Sequence, residues 1–163
     1  MAIPWKNRTQ IEAAFARMAA PRRLAMAAEL LDWTVSNFST PIADPVTRDL
    51  SRRSAAAIRT AVESGAAITP AAADPGLLEE ADEVMQEPTE PGSFDLLLGY
   101  YLCFDELAPE ITPERLTTIF DHCYEADYRR YSEPAIAVGE DVATDRGRAI
   151  LEHQRRLAQR YTD

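Results

Sequence analysis

Phe94-Asp95-Leu96-Leu97-Leu98-Gly99-Tyr100-Tyr101-Leu102-Cys103-Phe104-Asp105-Glu106-Leu107 is the stretch whose reading decides the fold. Its apolar residues surround a helical axis nearly all the way, which predicts a central helix buried on several sides. Acids flank it on both sides, from Asp74 to Asp127. The surroundings of this apolar segment are therefore expected to be strongly negative.

Working outward, 163 residues with 46% hydrophobic content fit one domain over 1–163 rather than a disordered chain. A chain of this mass exposes roughly 8,000 Å² when folded, which leaves enough area for one real core. Alanine is abundant, glycine numbers only 6 and β-branched runs are absent, so helix is favoured over sheet. The fold class expected is all-α, a bundle of about six to seven helices built from antiparallel hairpins.

Proline and capping residues divide the chain. Thr9 and Glu12 fit a capping box for helix 1, which is expected to end near Ala19. Pro21 suits the first turn of helix 2, where Leu24, Ala27, Leu31, Val35 and Phe38 form one stripe. Asp44 and Pro45 open helix 3, and Gly65 closes it; Arg48, Arg52, Arg53 and Arg59 are expected to face water. Residues 65–73 read as a loop. Asp74 and Pro75 open acidic helix 4, and Ser93 caps helix 5. Helix 6 follows from Pro113 to about Arg130, with Asp121, Glu125 and Asp127 outward, and Thr144 or Asp145 caps the last helix. The connectors Pro41–Pro45 and Pro109–Pro113 share an Ile, a capping residue and a Pro, so the 2/3 and 5/6 pairs read as two versions of one hairpin.

The order of elements resembles the YjaG-like family of bacterial all-helical proteins. The resemblance rests on Arg23 to Ala28 opening an apolar helix, an acidic helix ending at Glu87, a Pro-rich break, and Ser93-Phe94-Asp95 starting an aromatic helix. It implies an all-helical fold and carries no activity with it.

Residues for chemistry are sparse. His122 and His153 are the only histidines and have no ligand spacing, so solvated side chains are expected. Cys103 and Cys123 lie among apolar neighbours and read as free buried thiols. The chain holds neither a G-x-S-x-G elbow nor a Gly-rich phosphate loop. The adjacent pairs Glu79-Glu80 and Asp105-Glu106 point apart on a helix and cannot share a proton. An enzyme is therefore not expected, nor any catalytic, cofactor or metal residue.

Charge is the positive signal. The net charge is −10, and residues 61–143 hold nineteen acids against three bases. That block argues against nucleic acid or an anionic membrane and for a basic protein partner. Without an apolar run long enough to span a bilayer or a leader-like start, a cytoplasmic location is expected. The chain resembles, in kind, the small acidic immunity proteins that neutralise basic toxins. The expected contact set is Glu79, Glu80, Asp82, Glu83, Glu87, Glu90, Asp95, Asp105, Glu106, Asp121, Glu125 and Asp127, with Tyr124 and Tyr128 as aromatic anchors; Tyr100, Tyr101 and Tyr131 are further candidates. The alternative is a small-ligand or regulatory module with an apolar pocket at Tyr100, Phe104 and Phe120.

Overall fold

The structure is a computed structural model that describes residues 8–38, 40–65, 74, 76–104, 110–132 and 145–163, with 131 and 132 described in backbone only. Among these residues there are seven helices and no strand: α1 Arg8–Ala16, α2 Ala20–Ser36, α3 Pro45–Glu63, α4 Leu77–Gln86, α5 Ser93–Tyr101, α6 Pro113–Ser132 and α7 Asp145–Thr162. The all-α expectation holds. No described helix is long and apolar enough to cross a membrane.

The apolar stripes bury as their spacing requires. Leu24, Ala27 and Leu31 of α2, Leu50 and Ile58 of α3, and Leu116, Ile119 and Phe120 of α6 all lie in one core cluster. α2, α5 and α6 share its middle. Gly99 lets them meet: a Cβ there would lie 3.2 Å from Leu31 Cδ2 and 3.9 Å from Cys123 Sγ. α5 is thus central, but it is not buried all round, because Phe94 is 41% exposed.

Several boundaries move, each for a local reason. Thr9 lies inside α1, because Arg8 is already helical, so the capping box does not form. α1 also stops at Ala16 rather than near Ala19: buried Arg23 turns its guanidinium onto the carbonyls of Phe15 and Met18, and onto Ile111 O at 2.7 Å. α4 starts at Leu77 after left-handed Gly76 (φ 96°), not at Asp74. Pro75 lies outside the described residues.

Gly92 (φ 82°), not Ser93, is the N-cap of α5, and the Ser93 hydroxyl instead donates to Glu90 O at 2.8 Å. α5 ends at Tyr101, short of Leu107, because the Cys103 and Phe104 amides bond three residues back in a tighter turn. Residues 105–109, residues 66–73 of the expected loop, and Thr144 lie outside the described residues.

The two connectors behave alike where they are described. Ile42 and Ile111 both insert into the core. Asp44 accepts from Thr47 N at 2.9 Å, and Thr112 Oγ1 accepts from Arg115 N at 3.1 Å, so each caps the helix that its Pro begins.

Candidate functional site

The expected acidic face splits into an internal half and an external half. Asp127 falls on the stripe Leu116, Phe120, Cys123, Asp127, at spacings of four, three and four, and that stripe points into the core. Its side chain is fully buried and is clamped by Arg146 of α7. Burial pushes its carboxyl above the ordinary value, against the pull of Arg146. Glu125 is also buried, and its Oε2 lies 3.5 Å from Arg129 Nε. The outward expectation for Glu125 and Asp127 is therefore corrected.

Asp95 is buried as well. It accepts from His122 Nδ1 at 3.0 Å and lies 3.1 Å from Arg129 Nε, which links α5 to α6. Asp121 takes both arms of Arg8, at 3.0 and 2.9 Å, which docks α1 on α6 and raises the Arg8 value. Glu90 accepts from Ala43 N, Asp44 N and Arg130 Nη1 at 3.2, 2.9 and 2.8 Å. Burial works against its charged form, but these donors outweigh it and hold the carboxyl below its ordinary value. Asp127, Asp95, Asp121 and Glu90 fasten separate elements together, Glu125 pairs within α6, and the five leave little charge for a partner. Tyr124 and Tyr128 are buried and stacked on each other, 5.9 Å between centroids, so neither is a surface anchor. Asp105, Glu106 and the Tyr131 side chain lie outside the described residues.

The external half is α4. Glu79, Glu80, Asp82, Glu83 and Glu87 are all exposed, opposite the buried Leu77, Ala81 and Met85. At 100° per residue, Glu79 and Glu83 straddle the crest, Glu80 and Glu87 lie on the flank toward α3, and Asp82 and Gln86 lie toward α5. Glu80 pairs with Arg53 at 2.7 Å, so Arg53, which also reaches Asp74 at 3.1 Å, bridges α3 to α4 rather than facing water. Among the described residues Glu79, Glu83 and Glu87 have no ion pair.

Beside this row lies a shallow apolar groove of about 260 Å³, lined by Asp82, Met85, Gln86, Phe94, Leu98 and Tyr101. The sequence signal for it was the short α5 itself: once Ser93–Tyr101 is the helix, Phe94, Leu98 and Tyr101 share its outer edge at spacings of four and three.

Of the trio expected to line an apolar pocket, Phe104 and Phe120 are buried in the core cluster, and Tyr100 borders a cleft. Both thiols are fully buried, and burial raises both, Cys123 to about 12. Neither histidine is a solvated side chain: His153 stacks on Trp33 at 3.8 Å with the rings 7° apart. Among the described residues no three His, Cys, Asp or Glu side chains converge as metal ligands. No protein-family model, curated protein or solved structure matches the chain.

Proposed function

We propose that the protein is a non-catalytic binding module, an immunity or inhibitor protein that takes a basic toxin or effector on its α4–α5 face. The observation that carries this reading is Phe94, 41% exposed, sharing a groove with Asp82 next to the exposed acids Glu79 and Glu83 of α4. A large exposed aromatic beside unneutralised carboxylates supplies both halves of a docking surface. The acids raise the encounter rate of a cationic partner, and the aromatic in its groove supplies affinity through burial. Asp95 and Asp127 stay out of this surface because ion pairs between helices already use them, and Glu125 pairs with Arg129 along α6.

A short amphipathic peptide of leucine and lysine is the probe. It is expected to bind with an affinity that falls steeply with salt. Phe94→Ala is expected to weaken binding about tenfold with the fold unchanged. Binding that ignores both salt and Phe94→Ala would remove the proposal.

A further inference from the structure

A second cleft, of about 290 Å³, lies between α2, α3 and the connector before α3. Its floor is apolar, with Val35 and Ile42 among its walls, and Tyr100 of α5 closes the bottom. Asp32 stands on the α2 rim, and Arg48 and Arg52, one turn apart, stand on the α3 rim. The volume sits at the small end of the range of about 300–1,000 Å³ typical of ligand pockets.

Three features of this cleft are unspent. Tyr100 is 3% exposed, yet its hydroxyl has no hydrogen-bond partner among the described residues. The ring is buried but the oxygen is not sealed off, and a hydroxyl open to a cleft is a handle for something that enters it. Arg48 is exposed and has no carboxylate partner among the described residues, in a chain with net charge −10. Asp32 is only loosely matched, with Arg59 Nη2 4.0 Å away, and burial raises its carboxyl above the ordinary value against the pull of Arg59. Arg52 already leans on Asp49.

We infer that this cleft is a binding site for a small dipolar ligand with an apolar body, of the chemical class of an apolar amino acid. Its anionic group lies on Arg48, its ammonium on Asp32, its apolar body on Val35 and Ile42, and the Tyr100 hydroxyl bonds its polar end. A carboxylate alone meets Asp32 as a like charge, and an amine alone meets Arg48 in the same way. The opposed rim charges select a molecule that carries both. This site shares no residue with the α4–α5 face, and the inference stands independently of the function proposed above.

The test titrates the full chain with L-phenylalanine, phenylacetate and phenethylamine, following backbone amide shifts by NMR. L-Phenylalanine is expected to bind about tenfold tighter than either single-charge analogue and to shift residues of α2 and α3 around the cleft. Arg48→Ala and Asp32→Asn each weaken it about tenfold. Tyr100→Phe weakens it severalfold while leaving the thermal midpoint of the free protein unchanged, because the hydroxyl has no internal partner to lose. The inference is overturned if millimolar L-phenylalanine leaves the cleft residues unshifted. It is equally overturned if phenylacetate binds as well as L-phenylalanine, or if Tyr100→Phe destabilises the free protein.

Discussion

Arg146 closes two N–H groups on the carboxylate of Asp127, Nε at 3.0 Å and Nη2 at 2.7 Å, and the Asp127 side chain is wholly out of water. A third bond, from the same Nη2 to Asn37 O at 2.9 Å, ties the pair to the end of α2. Arg146→Ala strands a buried carboxylate, which costs about 3–5 kcal/mol at neutral pH. The sign of the pH effect follows from Asp127, whose folded value is already raised by burial. Without Arg146 the carboxyl takes up a proton more readily, so the deficit against the parent protein shrinks as pH falls. Denaturant unfolding of both proteins at neutral and acid pH measures it. A deficit that is the same at both would mean that Asp127 is solvated.

Gly92 and Gly65 both have positive φ, at 82° and 69°, but only Gly92 presses on another helix. A Cβ on Gly92 would lie 2.3 Å from Ala126 O, whereas one on Gly65 would meet nothing within 4 Å. Gly65→Ala therefore costs only the left-handed backbone, about 1 kcal/mol. Gly92→Ala adds a backbone clash across α5 and α6 and costs more than about 3 kcal/mol. Equal shifts in the two unfolding midpoints would show that α5 does not start against α6 in this way.

His153 stacks on Trp33, and its buried Nε2 has no hydrogen-bond partner among the described residues. Burial, then Arg156 and Arg160, push its value below the ordinary 6.5, while Glu29 pulls the other way. A histidine with a depressed folded value contributes stability that is present above 6.5 and lost as pH falls through that window. His153→Phe keeps a stacked ring without the titration, so its stability is expected to be flatter than the parent's over that pH range. Parallel curves would contradict the assignment.

Cys103 and Cys123 are buried with raised values, so the native protein is expected to leave a thiol reagent unreacted until it unfolds. Fast modification of either thiol at neutral pH would reopen a nucleophilic role for it.

The sequence was most legible where a single local rule decides. Asp44 and Pro45 open α3, and Gly65 closes it, because cap, φ restriction and left-handed turn act within a few residues. The acids were harder, since charge per residue does not say whether a partner waits on the next helix. Asp127 carried a readable warning, as it continues the core stripe of Leu116, Phe120 and Cys123. Asp95 and Asp121 carried none: their partners His122, Arg129 and Arg8 are assembled only by tertiary packing. The exposure of Phe94 was not legible, because which edge of a nearly all-apolar helix stays uncovered is decided by the packing of its neighbours.

In the proposed function, α4 and the outer edge of α5 form the docking face. Backbone amide shifts on titration with the leucine–lysine peptide test it most directly. Shifts centred on Glu79, Asp82, Glu83, Phe94 and Leu98 are expected, lost together in Phe94→Ala. The stability of that variant is expected to be unchanged to within about 0.5 kcal/mol, as for other exposed positions. Shifts centred on α6 and α7, or binding retained in full by Phe94→Ala, would contradict it.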